Sequence, residues 1–211
     1  MISEKMLDSL REDISGKMSA KRFFHTAEVE KMAAYLGELY APERISELRA
    51  AALLHDITKE YPTPLQISIC ISEDIKLESD AVFAPKTLHA RTAAALIPKM
   101  YPEFATETVT SAVRWHTTGR EGMTTAEKII YLADYIDMSR TFSDCVRLRE
   151  YFNSKDVRTL TEEEKDEHLT RTLIMSFDMT IRGLLDEGLP ISRDSIEARN
   201  ALVRELMSKK M

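Results

Sequence analysis

The sequence predicts an all-α protein folded as a single domain, and three observations lead to that prediction. Apolar residues recur at spacings of three and four almost throughout the chain, which is the period of an amphipathic α-helix. Only six glycines and seven prolines are present, which leaves little material for the tight turns of a β-sandwich or barrel. The length of 211 residues suits one core, so we expect residues 1–211 to form one helical bundle.

Four helices are predicted in the first half of the chain, bounded by prolines and small polar residues. The third should be central, because it is apolar all round at Ala50–Leu54. The predicted ranges are Ser3–Ile14, a helix beginning at Ser19, Pro42–Ile57 and Thr63–Ile69. The second helix carries an apolar stripe of Phe24, Val29, Met32, Ala33 and Leu36. Residues 72–86 lack periodicity and are predicted to form a long loop that could cover a site.

Six more helices are predicted in the second half. Thr124, followed three residues later by Glu127, has the form of a capping box, so a helix should run from there through Ile136. Gly119 is suited to end the preceding helix in a left-handed conformation. The other predicted ranges are Leu88–Pro98, Pro102–His116, about Ser143–Phe152, Leu160–Leu185 and Asp194–Met207.

Charge and cysteine content exclude several functional classes. A net charge of −6 argues against nucleic acid or an anionic membrane as the main partner, although an anionic small ligand could bind where cations collect. No run approaches the ~20 apolar residues that span a bilayer, and the first residues lack the uncharged core of a signal peptide. Cys70 and Cys145 are too few for a disulfide framework or a cysteine metal site. Reduced thiols and a cytoplasmic location are therefore expected.

Four of the five histidines lie on or beside apolar helical segments, and two aspartates share that setting. Imidazoles and carboxylates are costly to bury unless they are paired, hydrogen-bonded or bound to a cation. Six such residues together predict one shared metal centre. They are His25, His55, Asp56, His89, His116 and Asp134.

Each of these residues has an ordinary explanation when taken alone. A single histidine on an apolar face is usually a hydrogen-bonded core residue, and Asp134 could pair with an arginine. Adjacent helical residues point about 100° apart, so His55 and Asp56 can serve one cluster if Asp56 bridges two cations. Nitrogen and oxygen ligands without thiolates suit iron, manganese, zinc or magnesium-like ions. His168 lies in a charged stretch and is predicted to be a surface residue without a ligand role.

Several polar residues near these positions are candidates for binding a phosphate. Lys59 shares a helix face with His55 if the helix persists, and an ammonium group would bind phosphate rather than metal; the alternative is a helix-terminal lysine that complements the dipole. Arg140 could bind a phosphate or, alternatively, form a structural ion pair. Arg22 is expected to be exposed or to orient a neighbouring group. The phosphate candidates are Lys59, Thr117, Gly119 and Arg140.

Five segments of the chain resemble the HD-domain superfamily and, within it, the YqeK family of symmetrical diadenosine tetraphosphate hydrolases. The His-Asp pair alone is moderately specific, whereas the His-Thr-Thr-Gly and Ala-Asp-Tyr-Ile segments narrow the family considerably. The segments are Arg22–Thr26, Leu54–Lys59, Leu88–His89, His116–Gly119 and Ala133–Ile136. The resemblance implies an HD-type bundle whose motifs occupy about residues 19–140, with the C-terminal helices packed on that core.

The resemblance also implies roles for the six residues. The principal metal, for which iron is the ion this family suggests, would be held by His25, His55, Asp56 and Asp134. His89 and His116 would complete a second metal position or face the substrate phosphates, and with Asp56 they would form the catalytic set. One departure is visible: Asp137–Arg140 stands where the family often has a Glu-Pro pair before its arginine, which leaves the role of Asp137 open.

The implied activity is the metal-dependent hydrolysis of diadenosine tetraphosphate to two ADP. A bound cation lowers the pKa of water and neutralises phosphate oxygens, so in-line attack on an inner phosphate is the expected chemistry. The alternatives are a phosphohydrolase of another nucleotide, such as a nucleoside monophosphate or a guanosine alarmone, and a non-catalytic helical module that binds nucleotide or protein. The expected partner is a nucleotide, and the sequence leaves a homodimer open.

Overall fold

The computed structural model describes residues 2–77 and 84–209. Regular structure in these residues is entirely helical, which confirms the all-α prediction. Ten α-helices follow one another along the chain: α1 Glu4–Ser15, α2 Ala20–Tyr40, α3 Ile45–Leu54, α4 Thr63–Ser72, α5 Leu88–Met100, α6 Glu107–Trp115, α7 Thr125–Ile136, α8 Ser143–Phe152, α9 Glu162–Asp186 and α10 Arg193–Ser208. Short 3₁₀ helices occupy Pro42–Arg44, Pro85–Thr87, Pro102–Phe104 and Val157–Thr159.

Among the described helices, none combines the length and the apolar character that a bilayer crossing requires.

Helix α3 lies at the centre of the bundle, as its composition predicts. Residues 50–54 are all fully buried, and α3 contacts α1, α2, α6 and α7. The main hydrophobic cluster runs from Leu7 in α1 to Leu202 in α10. This continuity supports the prediction that residues 1–211 form one domain, which stays a prediction.

Two predicted helices are shorter than expected at both ends. The segment from Pro42 begins as a 3₁₀ turn, and α3 ends at Leu54 rather than Ile57. Helix α6 starts at Glu107, where the Thr106 side chain accepts a hydrogen bond from a backbone N–H, while Pro102–Phe104 forms a separate 3₁₀ turn.

The loop predicted over residues 72–86 is only partly described. Helix α4 continues to Ser72, and Pro85–Thr87 forms a 3₁₀ turn before α5. Residues 78–83, on which the rest of that prediction falls, lie outside the described residues.

The apolar stripe predicted for α2 is correct except at its start. Val29, Ala33 and Leu36 are fully buried, whereas Phe24 is 60% exposed. Phe24 precedes Val29 by five residues, which rotates it about 140° around the helix from Val29. It therefore faces away from the core.

The prediction that His168 lies at the surface is wrong. The residue is buried, and its Nε2 lies 2.9 Å from the carbonyl oxygen of Phe152. Its ring also stacks against those of Tyr151 and Phe152, with centroid distances of 5.7 and 5.5 Å. Helix α9 is amphipathic, so its charged neighbours face solvent while His168 faces α8.

A buried glutamate joins the first three helices. Glu30 of α2 accepts hydrogen bonds from Arg11 of α1 at 3.0 and 2.6 Å and from Arg49 of α3 at 3.0 Å. The Glu30 side chain is only 7% exposed. This network fixes the positions of α1 and α3 relative to α2, the helix that carries His25.

Candidate metal centre

The six predicted ligand residues lie together, although five separate parts of the chain supply them. These parts are α2, the turn after α3, the first turn of α5, the end of α6, and α7. The closest approaches are His25 Nε2 to Asp134 Oδ1 at 2.9 Å, His89 Nε2 to His116 Nε2 at 3.0 Å, His89 Nε2 to Asp56 Oδ1 at 3.2 Å and His55 Nε2 to Asp56 Oδ2 at 3.4 Å. The side chains thus converge, and their role as metal ligands stays a prediction.

Two groups of side chains in the cluster have the spacing of metal ligands. One consists of His25, His55 and Asp134, the other of His55, Asp56 and His116. Two atoms bound to one ion at about 2.1 Å lie no more than about 4.2 Å apart. In the first group Asp134 Oδ1 is 2.9 Å from His25 Nε2 and 3.8 Å from His55 Nε2. In the second, Asp56 carboxylate oxygens are 3.4 Å from His55 Nε2 and 3.9 Å from His116 Nε2.

The end of α3 explains how His55 and Asp56 can both face the cluster. Residues 55–60 form turns rather than helix, so the 100° separation of helical neighbours does not apply to them. The helix does not persist to Lys59, so the condition under which Lys59 would share a helix face with His55 is not met. The turn nevertheless brings Lys59 Nζ to 3.2 Å from His89 Nε2 and 3.3 Å from His89 Nδ1.

Backbone carbonyls orient two of the imidazoles. The Nδ1 atom of His55 lies 2.6 Å from the carbonyl oxygen of Ala52, and that of His116 lies 2.7 Å from the carbonyl oxygen of Val113. Each Nδ1 therefore carries the proton and donates it, which leaves a lone pair on Nε2 pointing into the cluster.

The residues present fit a cation. Among the described residues, the buried atoms His55 Nε2 and Asp56 Oδ1 have no partner in hydrogen-bond geometry. Buried polar atoms without a partner are rare in folded proteins. A cation between them would satisfy both atoms, and the imidazole and carboxylate donors suit iron, manganese or zinc.

Three cationic side chains border the cluster. Arg22 Nη1 lies 2.6 Å from Asp56 Oδ2, so Arg22 is an orienting residue rather than a free surface arginine. Arg140 donates from Nη2 to the Asp134 carboxylate and from Nε to the Asp134 carbonyl oxygen at 2.9 Å. The ion pair that was an alternative explanation for Asp134 is therefore present, but it accompanies the approach of Asp134 to His25. Lys59 is the third cation.

The charge states of the two carboxylates suit metal binding. Burial opposes ionisation of Asp56, but the imidazoles of His55 and His89 hold its pKa well below the usual range. Burial acts in the same direction on Asp134, and the Arg140 guanidinium and the His25 imidazole keep its pKa well below that range. Both aspartates are thus anionic at neutral pH.

The histidines fall into two electrostatic classes. Burial, the Lys59 ammonium and the His55 imidazole lower the pKa of His89. Burial and the imidazoles of His89 and His55 lower the pKa of His116, so both rings are neutral at pH 7. Burial also disfavours a charged His25, but the carboxylates of Asp134 and Asp137 outweigh it and raise the pKa of His25 to about 9. A metal at His25 Nε2 would therefore displace a proton.

The loop after α7 contacts His25 at Nδ1, the ring nitrogen that does not face Asp134. Ser139 Oγ lies 2.9 Å from His25 Nδ1 and donates to Asp137 Oδ1, which also accepts the Ser139 backbone N–H at 2.8 Å. In a neutral His25 this chain places the proton on Nδ1 and leaves Nε2 free for a cation. The sequence left Asp137 without a role and did not indicate Ser139, because a serine in a short loop is unremarkable.

The remaining phosphate candidates differ in their surroundings. The Thr117 hydroxyl is buried and has no hydrogen-bond partner among the described residues, so its predicted role stays open. Gly119 has the expected left-handed φ of +61°, but α6 already ends at Trp115 with His116 as its C-cap, and Gly119 belongs to the turn beyond, where its N–H donates to the Trp115 carbonyl oxygen at 2.9 Å. A Cβ at that position would contact Phe177, Ala198 and Met123. These neighbours belong to the bundle interior and fit a structural role for Gly119 better than substrate binding.

Comparison with known proteins places this architecture in a family. Residues 22–139 match the family model described as "HD domain". The chain is 30% identical over 188 residues to "Bis(5'-nucleosyl)-tetraphosphatase, symmetrical" of Halalkalibacterium halodurans, covering 89% of this chain and 92% of the relative. It is 29% identical to the protein of the same name from Bacillus subtilis, covering 90% and 94%.

A solved structure agrees with these relatives. A chain from Clostridium acetobutylicum, described as a "predicted HD superfamily hydrolase involved in NAD metabolism", superposes with a TM-score of 0.80 at 32% identity. The match covers 94% of this chain and 97% of that one. This chain belongs to the HD-domain family and, within it, to the YqeK-type group.

Proposed function

We propose that this chain is a metal-dependent hydrolase that cleaves dinucleoside tetraphosphates symmetrically, so that diadenosine tetraphosphate yields two ADP. The observation that carries the proposal is the buried cluster, in which two overlapping ligand groups share His55 and lie beside three cationic side chains. The names of the relatives from Halalkalibacterium halodurans and Bacillus subtilis support the substrate class.

The proposed metal positions follow the two ligand groups. The lone pair of His55 Nε2 can bind one ion only, so His25, His55 and Asp134 would hold one cation, while Asp56 and His116 would contribute to an adjacent one. Iron is the metal we propose, with manganese or zinc as substitutes. A bound cation there lowers the pKa of water toward neutrality and neutralises charge on phosphate oxygens.

The neighbouring cations divide into two roles. Arg22 and Arg140 already donate to Asp56 and Asp134, so they hold those carboxylates in place. Lys59 lies against a neutral imidazole instead, and its ammonium group can donate to a substrate phosphate. Burial lowers the pKa of Lys59, and the negative charge of a bound phosphate would favour the protonated form.

His89 is the residue we propose to carry a proton in the reaction. Without a cation, His116 donates from Nδ1 to a carbonyl, so its Nε2 is an acceptor and the short contact to His89 requires a proton on His89 Nε2. A cation on His116 Nε2 would take that acceptor, and the proton on His89 would then face Asp56. His89 Nε2, the nitrogen that carries this proton, lies 3.2 Å from Asp56 Oδ1. His89 can therefore donate to the departing phosphate oxygen and be reprotonated from solvent.

Symmetrical products follow from the bond that breaks. The oxygen of water bonds to one of the two inner phosphorus atoms, and the bond between that same phosphorus and the central bridging oxygen breaks. The electron pair leaves with that oxygen, which takes up a proton or stays anionic, and both fragments are ADP. Attack on either inner phosphate gives the same pair of products.

Product analysis with several metals tests the proposal. Purified protein is incubated with diadenosine tetraphosphate and with Mn²⁺, Zn²⁺ or, without air, Fe²⁺, and the nucleotides are separated by ion-exchange chromatography. We expect ADP as the sole product. No ADP with any metal would refute the proposal, and ATP with AMP would show asymmetrical cleavage. Faster turnover of a nucleoside monophosphate or a guanosine alarmone would favour the alternative substrates.

A cytoplasmic location is the last part of the proposal. Cys70 and Cys145 are both free and buried, which is compatible with a reducing compartment.

A further inference from the structure

Arg149 of α8 binds the backbone of the loop that follows α7. Its Nε donates to the carbonyl oxygen of Ile136 at 2.7 Å, and its Nη2 donates to that of Arg140 at 2.8 Å. The same Nη2 also donates to the carbonyl oxygen of Asp137. One guanidinium therefore connects the last residue of α7 to the far end of the loop.

That loop contacts two residues of the candidate metal centre, His25 and Asp134. Ser139 Oγ lies 2.9 Å from His25 Nδ1, and Arg140 donates to both the carboxylate and the carbonyl of Asp134. His25 and Asp134 are the two side chains that approach each other at 2.9 Å. The position of the loop thus determines how their Nε2 and Oδ1 atoms face a cation.

An arginine is well suited to this position. The last carbonyls of a helix lack partners within the helix, and Asp137, the C-cap residue that follows α7, has an extended ψ of 158°. A guanidinium offers several N–H donors in a rigid fork, so it can satisfy carbonyls at both ends of the loop at once. A lysine ammonium is a single point and cannot span them.

We infer that Arg149 is a positioning residue that sets the metal affinity of the centre without touching metal or substrate. It does so by holding the 137–140 loop against His25 and Asp134. The inference rests on the metal centre of the proposed function but does not depend on which nucleotide is cleaved. Groups behind metal ligands typically change metal affinity or activity by about 10- to 100-fold when they are removed.

Metal titration of matched variants tests the inference. We compare Arg149→Gln and Arg149→Lys with Arg147→Gln, which changes an exposed arginine on the same helix that has no hydrogen bond or ion pair among the described residues. Isothermal titration with Mn²⁺ gives the Kd, and circular dichroism reports the fold. We expect Kd to rise about tenfold or more in Arg149→Gln, less in Arg149→Lys, and not at all in Arg147→Gln.

Two further variants separate positioning from general stability. Ser139→Ala removes the contact with His25 and leaves α8 intact, so it should reproduce part of the rise in Kd. Gly122→Ala strains a left-handed backbone position just before α7, whereas this loop follows α7, so it should lower stability and leave the Mn²⁺ Kd unchanged.

The outcomes are decisive in each direction. If Arg149→Gln does not fold, Arg149→Lys and Ser139→Ala decide the matter. A Kd within about twofold of wild type in the folded Arg149 variants and in Ser139→Ala would overturn the inference. A wrong substrate assignment would give a different result, because the wild-type protein would then bind Mn²⁺ but form no ADP from diadenosine tetraphosphate.

Discussion

His25 Nε2 and Asp134 Oδ1 lie 2.9 Å apart, although α2 and α7 carry them from distant parts of the sequence. The approach depends on direct packing of these two helices. An imidazole and a carboxylate in this arrangement attract a proton when no cation is bound, which is why the pKa of His25 is raised to about 9. A cation at the same point would link α2 to α7.

Removing metal should therefore lower both activity and stability. An ion that binds only the folded chain stabilises it by about 2.7 kcal/mol when its concentration is 100 times Kd. We expect a chelator to abolish ADP formation and to lower Tm by several degrees, and added Mn²⁺ to restore both. Thermal unfolding with and without chelator provides the measurement. An unchanged Tm together with full turnover would argue against a metal centre.

His55 and His168 form a matched pair of buried histidines with different predicted roles. His55→Ala should abolish turnover and leave the helical content near wild type, since His55 belongs to both ligand groups. His168→Gln removes a hydrogen bond to Phe152 and ring stacking, so it should cost about 1–2 kcal/mol of stability and retain turnover per folded molecule. Circular dichroism and initial rates distinguish the two. Retained turnover in His55→Ala would exclude the centre as described.

Lys59 should matter for substrate binding more than for chemistry. A hydrogen bond from a charged group is worth about 1.5–3 kcal/mol, so Lys59→Met should raise KM for diadenosine tetraphosphate at least tenfold. Lys31→Met is the control, because Lys31 is 73% exposed on the same protein and pairs with Glu28. Steady-state kinetics at saturating Mn²⁺ would check this. Equal KM values in both variants would remove Lys59 from the substrate site.

Features encoded by neighbouring residues could be predicted from the sequence. The capping box at Thr124 and Glu127 is present, and α8 has the predicted bounds Ser143–Phe152. The cluster was also predictable, because polar residues on apolar helices are conspicuous. Each of these features depends on residues a few positions apart or on residue types that are costly to bury.

Features that depend on contacts between distant segments could not be predicted. No glycine or proline marks the end of α3 at Leu54. There the buried Thr58 donates to the carbonyl oxygen of His89 at 2.9 Å and contacts the Thr92 hydroxyl at 2.7 Å, so α5 fixes the turn. Arg149 was missed for a similar reason, because an arginine on an amphipathic helix is ordinary until its partners are known.

The Glu30 network gives a prediction about stability. Glu30→Gln would leave Arg11 and Arg49 without their shared carboxylate, and the side chains of these arginines are 30% and 19% exposed. Breaking a fully buried pair costs about 3–5 kcal/mol, and the partial exposure reduces our expectation to about 2 kcal/mol. Urea unfolding measures the change. Glu28→Gln, which affects a pair with an exposed lysine, should cost less than about 0.5 kcal/mol, and equal effects would contradict the network.

Two glycines with similar backbone conformations separate strain from packing. Gly119 and Gly122 have φ values of +61° and +66°, so alanine at either position adopts a left-handed conformation that costs roughly 1 kcal/mol or more. At Gly119 the new Cβ would also lie 2.7 Å from Phe177 Cζ, whereas nothing lies within 4 Å at Gly122. Overpacking of this kind costs typically about 1–3 kcal/mol more. We therefore expect Gly119→Ala to lower the free energy of unfolding clearly more than Gly122→Ala. Equal losses in urea unfolding would show that α9 gives way to the methyl group.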